Sequence, residues 1–392
     1  MTALALKGVK VLDMTSYLAG PYGGTLLGDL GADVVKVESP DGDMMRKYPS
    51  TLPGESRAYL GANRNKRTIV IDLKNPAGVD TCKRLAAGAD VVIQNFRPGV
   101  AERLGLGFDD LKALRADIVY CSLTGYGLDG PMAGNPGFDQ VLQSMTGIAA
   151  AQGYPEPEPR IVWGSPVDFY ASSLLAMAVC AALFDRERTG TAQFVETSLL
   201  RSALAMQPGR MIWAEGEGRE VQRDLRGGRL GGIHPTKSGY IYLQAQTPAF
   251  WRALCELTGL SHLVDDPRYD DLRKRHDRED ELLPLLRDAL AKKTALEWEA
   301  HFGSRVPCVA VRTFEDMFDH PQVLSQRLLQ THAHPELGSF RAMSGPVAIN
   351  RTEGEGVERR APMPGEHTSE LLAEAGFSRG EIDALRQQGA VR

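Results

Sequence analysis

The 392-residue sequence is short of several things, and each shortage removes a class of function. There is no basic excess: 45 Lys and Arg stand against 50 Asp and Glu, a net charge of −5. The whole-chain field therefore does not favour nucleic acid or an anionic membrane surface. Binding an anionic ligand requires a local cluster of cations. Cysteines are few: Cys82, Cys121, Cys180, Cys255 and Cys308. Their number is odd and none stands in a C-x-x-C pair, which fits a reduced compartment. The first eight residues lack the charged start and long apolar run of a signal peptide. The longest nearly apolar stretch, Ala171 to Phe184, is 14 residues, against about 20 for a membrane span. A cytoplasmic protein with neither membrane nor nucleic acid as partner is expected.

Nucleotide and hydrolase motifs are missing too. Gly20 to Gly31 is glycine-rich without matching G-x-G-x-x-G, and no G-x-x-x-x-G-K-[ST] occurs. A nicotinamide or nucleoside-triphosphate signature is thus absent. No G-x-S-x-G marks a hydrolase elbow. Eight histidines are scattered, His332 and His334 form the one close pair, and no acid or Cys has metal-ligand spacing. No metal site is expected. There is no internal repeat.

What is present is an ordinary globular mixture, 43% apolar and 24% charged, enough for two or three domains. Val9–Leu12, Val34–Val37, Thr68–Ile71, Val91–Ile93 and Ile118–Cys121 read as strands. Gly20 to Gly24 reads as a turn and Thr25 to Leu30 as helix; a second helical spacing follows Pro76. This alternation predicts an α/β fold with a Rossmann-like, mainly parallel sheet. Continuous apolar strands imply helices on both faces. Asp168 to Arg186 is the strongest helix candidate, and Thr197 to about Ala214 the next. The predicted large domain covers residues 1–215, with 331–392 returning to it. A linker and a smaller α/β domain occupy 216–330, with strands at Tyr240–Ala245 and Val309–Val311.

Two groups of residues invite a chemical reading. Asn63 to Arg67, Lys74, and Asn95-Phe96-Arg97 through Arg103 gather cations and amides at strand ends. They suit phosphate contacts, or equally solvated surface turns. Asp168 opens the long helix: an N-cap, or a carboxylate placed for chemistry near a helix start. Spacing leaves both pairs of readings open. The glycines and arginines of residues 215–233 read as a mobile linker or a loop over a site.

Gly8-Val9-Lys10-Val11-Leu12-Asp13, Ala19-Gly20-Pro21, Leu30 to Glu38, Asn65-Lys66-Arg67, Asn95 to Gly99, Thr124 to Gly127, Gly137-Phe138-Asp139, Asp168, Arg188-Thr189-Gly190 and Pro364 to Thr368 follow one another in order. In that order they resemble the class III CoA-transferases, the group including carnitine CoA-transferase and formyl-CoA transferase. The resemblance implies transfer of CoA from an acyl-CoA to a free carboxylic acid. Asp168 inherits the role of covalent nucleophile, passing through an aspartyl anhydride and an aspartyl-CoA thioester. It implies CoA contacts at Leu18, Ala19, Ser39, Leu73, Lys74, Asn95, Phe96, Arg97 and Arg103. Gly231 and Gly232 are the candidate flexible cover. Coenzyme A is substrate, with no permanently bound cofactor. An interlocked homodimer is implied as well. Leu18 stands where formyl-CoA transferase carries Gln, which argues against formate and oxalate. Succinyl-CoA with another dicarboxylate fits Arg223, Arg226 and Arg229 as partners for a second carboxylate. The alternatives are an α-methylacyl-CoA racemase or other acyl-CoA isomerase, which would place a His near Gly137 to Asp139, and a non-catalytic CoA-binding protein.

Overall fold

The computed structural model describes residues 4–153, 158–219, 229–349 and 359–392. The chain divides into two compact units, residues 1–211 with 321–392, and residues 212–320.

The first unit is built on six strands: β1 (Lys10–Met14), β2 (Asp33–Glu38), β3 (Lys66–Val70), β4 (Val91–Gln94), β5 (Val119–Thr124) and β6 (Gln193–Ser198). All pair in parallel, in the order β3-β2-β1-β4-β5-β6. The order reverses between β1 and β4, which opens a crevice at the strands' carboxyl ends, where such sheets bind ligands. Central strands are apolar on both faces because both are covered: Val11, Val91 and Val119 face one core cluster, Leu12, Val92 and Tyr120 the other. Five strands were legible as apolar runs. β6 was not, because its pattern of Gln193, Glu196 and Ser198 is too polar to read as a buried strand. The helix expected from Thr197 to Ala214 is shorter. It begins after Ser198, whose hydroxyl accepts from Arg201 N at 3.1 Å, and spans Leu199–Ala205. Pro208 disfavours helical backbone at Gln207.

The glycine-rich start is also not a turn. It forms helix α1, Ala19–Asp29. Its glycines allow close packing: a Cβ at Gly23 would lie 2.9 Å from Leu175, and one at Gly24 2.8 Å from the Asp13 carboxylate. Pro21 is tolerated in the first turn, where backbone N–H groups lack helical partners anyway. Further helices are α2 (Arg57–Ala62), α3 (Pro76–Ala87), α4 (Val100–Arg103), α5 (Phe108–Leu114), α6 (Asp139–Met145), α7 (Ile148–Gly153) and α8 (Pro166–Thr189). Helix α8 starts with Pro at its first position, as that position favours. It ends at Gly190 with φ 66°, a left-handed stop. It is long and apolar enough to cross a membrane by length and composition. Here Ala171, Leu175 and Val179 lie in the core beneath α1.

Below the strand ends lies a buried ionic network. Lys66 Nζ donates to Asp13 Oδ2 at 2.8 Å, to Pro21 O at 2.6 Å and to Asn63 Oδ1 at 2.9 Å. Lys36 pairs with Asp43 at 2.8 Å. Glu38 holds Arg46, Tyr59 and Thr68. Removing one member of such a pair typically costs about 3–5 kcal/mol, because the other charge is left buried.

The second unit carries an antiparallel sheet of Gly232–Pro235, Tyr240–Leu243 and Cys308–Ala310. Helices Pro248–Thr258, Glu279–Leu290 and Ala295–Phe302 pack on it through Trp251, Leu254, Leu286, Trp298 and Phe302. The chain then returns to the first unit. It adds an antiparallel hairpin, Leu329–His334 with Gly338–Met343, which the sequence reading did not anticipate. Leu371, Leu372, Ile382 and Val391 of the tail complete the core cluster on one sheet face.

Candidate active site

Asp168 lies in the first turn of α8, yet it does not cap that helix. Ser165 occupies the N-cap with left-handed backbone and no side-chain cap bond. The cap comes from a different segment: Asp139 Oδ2 accepts the N–H of Val167 at 2.6 Å and of Asp168 at 3.1 Å. Gln143 Nε2 donates to the Asp139 carboxylate at 2.5 Å and fixes it. The N-cap reading of Asp168 is therefore wrong; Asp139 does that work. Asp168's own carboxylate has no hydrogen-bond or ion-pair partner among the described residues.

Burial first, and the Asp139 charge second, push the Asp168 carboxyl from 3.8 up to about 7. A carboxylate so deprived of water and hydrogen bonds is a stronger base and a better nucleophile than one in solution.

The surroundings of Asp168 are fixed by long-range bonds. Ser172, one turn on, donates to Ala19 O at 2.7 Å and to Asp168 O at 2.8 Å. This ties α8 to the first residue of α1. The loop before Ala19 is held in an unusual shape: Tyr17 has φ 69°. For a bulky residue this is strained, by roughly 1–3 kcal/mol. Two side chains pin the backbone that leads into it. Tyr17 N donates to Asp43 Oδ1 at 3.3 Å. The Asn95 amide accepts from Ser16 N at 3.0 Å and donates to Ser16 O at 2.8 Å. The Tyr17 ring meets Phe138, the neighbour of Asp139, edge to face at 5.6 Å. Both rings remain 40% or more exposed. Tyr17 and the cap that Asp139 supplies to α8 escaped the sequence reading. A short acid-headed helix gives no local sign of a partner 29 residues away.

The residues expected at CoA all follow carboxyl ends of the parallel strands or the helices after them. Leu18 and Ala19 follow β1, Ser39 follows β2, Leu73 and Lys74 follow β3, Asn95, Phe96 and Arg97 follow β4, and Arg103 ends α4. Ser39, Lys74, Arg97 and Arg103 are exposed, and the three cations have no ion-pair partner among the described residues. Leu73 and Phe96 lean on the core, Ala19 is buried, and Asn95 spends its amide on Ser16. Gly231 and Gly232 belong to the second unit, where Gly232 pairs with Leu243.

Asn63 to Arg67 is neither a phosphate cradle nor a solvated turn. Arg64 pairs with Asp29 at 2.5 Å, and Arg67 with Asp33, Glu370 and Glu374. Arg229 is likewise engaged by Glu279 and Asp280, so its charge is already balanced. Arg223 and Arg226 lie outside the described residues. A cavity of about 640 Å³ opens beside the start of α8, lined by Leu18, Tyr22, Leu60, Ser165, Phe169 and Met343 among others. Its wall is mostly apolar.

Known proteins match this chain closely. The model for the family described as CoA-transferase family III matches residues 6–368. Mouse (Mus musculus) succinyl-CoA:glutarate CoA-transferase is 34% identical, over 98% of this chain and 90% of its own. The crystal structure of Rv3272 from M. tuberculosis superposes with a TM-score of 0.81 at 34% identity, covering 94% of this chain and 99% of that one. A CaiB/BaiF family protein from Brucella suis gives a TM-score of 0.84 at 28% identity, covering 95% and 100%.

Proposed function

Since the chain belongs to CoA-transferase family III, and is a CoA-transferring enzyme, we propose that Asp168 carries the group transfer and that a dicarboxylic acid is the acceptor. The observation that carries this reading is the partly buried, unpartnered Asp168 carboxylate on a helix end capped by another acid.

The steps follow from thioester chemistry. An Asp168 oxygen attacks the acyl carbonyl of the donor. A C–O bond forms, the C–S bond breaks, and CoA leaves as thiolate, giving a mixed anhydride. The thiolate attacks the Asp168 carbonyl, and the donor acid leaves as carboxylate. The acceptor carboxylate then attacks the aspartyl-CoA thioester and expels the thiolate. The thiolate attacks the acceptor's acyl carbonyl, which releases the new acyl-CoA and restores the Asp168 carboxylate. The sum exchanges one acid for another without water. Ser39, Lys74, Arg97 and Arg103, exposed after the carboxyl ends of β2, β3 and β4, would meet the polar and anionic CoA handle. Succinyl-CoA with glutarate is the pair named for the mouse relative, and supports a dicarboxylate here.

An interlocked homodimer is part of the proposal. Helix α8 leaves Met177 63% and Phe184 68% exposed, apolar surface of the kind a second copy covers. Five free cysteines favour a reducing, cytoplasmic setting.

The test is Asp168→Asn. It should abolish turnover. Acyl-CoA with hydroxylamine should give an aspartyl hydroxamate in wild type and none in the variant. Substantial turnover by a well-folded variant would remove Asp168 from the chemistry.

A further inference from the structure

We propose that Tyr17 and Phe138 form an aromatic shield that keeps water from the acylated Asp168. This rests on Asp168 being the nucleophile.

Three observations converge on it. The two rings meet edge to face at 5.6 Å, a favoured aromatic geometry. Each ring belongs to a segment that is hydrogen-bonded to the first turns of α8. Phe138 precedes Asp139, which accepts the Asp168 N–H. Tyr17 lies two residues before Ala19, whose carbonyl receives Ser172 from the turn after Asp168. Both rings nevertheless stay 40% and 47% exposed, so the pair does not serve the core.

The third observation is the backbone of Tyr17. A φ of 69° suits glycine or asparagine far better than tyrosine. The bonds of Ser16 and Tyr17 N with Asn95 and Asp43 hold it there. A strained position that its neighbours over-determine points to a role for the side chain it presents. No bond to the Tyr17 hydroxyl occurs among the described residues, so the ring, not the phenol, is what matters.

The aspartyl-CoA thioester is open to a competing step. Water attacks its carbonyl, a C–O bond forms, the C–S bond breaks, and CoA departs with a proton from water. Asp168 is restored and the activated group is lost. An apolar pair over the carbonyl suppresses this without touching the reacting atoms.

The experiment measures hydrolysis against transfer for the full-length enzyme, as free CoA released per new acyl-CoA formed, in wild type, Tyr17→Gly, Tyr17→Phe and Phe138→Ala. Glycine relieves the backbone strain while removing the ring. The ratio should rise severalfold in Tyr17→Gly and Phe138→Ala and stay at the wild-type value in Tyr17→Phe. A merely structural role would lower both rates together and leave the ratio alone. Exposed Phe138 supplies the deciding variant if Tyr17→Gly folds poorly. Intact mass separates the two ways of failing. An aspartyl-CoA adduct with unchanged ratios overturns the shield alone. No adduct on wild type overturns the nucleophile, and the shield with it.

Discussion

Asp139 and Asp168 share one helix end, 3.1 Å apart from the Asp139 carboxylate oxygen to the Asp168 backbone nitrogen, and of the two carboxylates only that of Asp139 is hydrogen-bonded there. The pairing makes one acid structural and leaves the other free. It also makes the free one titrate late, since burial and the Asp139 charge both raise it.

The pH dependence follows. In the proposed mechanism Asp168 attacks as the carboxylate, so kcat/KM for the donor should rise with pH through about 7. Asp139→Asn keeps an oxygen for the cap and removes the repelling charge. Its rising limb should sit at lower pH. Profiles from pH 5 to 9 with one donor and acceptor compare the two enzymes; identical midpoints would disprove the coupling.

Asp168 also makes stability depend on pH. Its folded-state value is raised above the ordinary 3.8 to about 7. The stabilisation from its protonated form is complete below 3.8 and is lost as pH rises through 7. Neutral Asn escapes that loss. Asp168→Asn should therefore melt close to wild type near pH 4 and increasingly above it up to pH 8. The ceiling on the gap is about 4 kcal/mol, at 1.36 kcal/mol per unit. Denaturant unfolding at several pH values measures it, and a constant gap would contradict the shift.

Lys74→Ala and Arg103→Ala should raise KM for acyl-CoA and change kcat little, because contacts to the handle stabilise ground and transition states alike. A charge-assisted bond contributes about 1.5–3 kcal/mol, so each KM should rise roughly tenfold or less, given the exposure of both side chains. The effect should fade as salt is added. Steady-state kinetics over a salt series decides; unchanged KM in both variants places CoA elsewhere.

Leu18→Gln probes the pocket. Leu18 lines the cavity together with Leu60, Tyr22 and Phe169. An unpaired amide there costs about 1–3 kcal/mol when an apolar acyl group covers it. Small polar acids should gain on longer ones in a competition among acceptors read by mass. An unchanged ranking would show that Leu18 does not face the acyl group.

Much of this was legible in the chain because the cues are local. The apolar runs at β1 to β5 and the Pro166–Gly190 brackets of α8 show themselves within a few residues. What hid was long-range. Lys66 looks like a surface cation until β3 carries it under Asp13, 53 residues away. Gly23 and Gly24 look like a turn until Leu175 and the Asp13 carboxylate crowd them. The hairpin at residues 329–343 alternates too weakly to stand out, since few of its positions are buried. Asp168 showed only two possible roles by spacing; family resemblance favoured one, and the bond from Val167 N–H to Asp139 removed the other.

The bond from Ser172 to Ala19 joins residues 153 positions apart. During synthesis, the loop that carries Tyr17 leaves the ribosome long before the helix that carries Asp168. The surroundings of Asp168 cannot assemble until this stretch of chain has closed on itself, and closure over such separations is slow. A chain made only as far as β5 therefore lacks the Ser172–Ala19 tie beside Asp168. The tie can form only once the chain extends through Ser172, so the Asp168 turn and the Tyr17 loop meet after β1 to β5 have all been made.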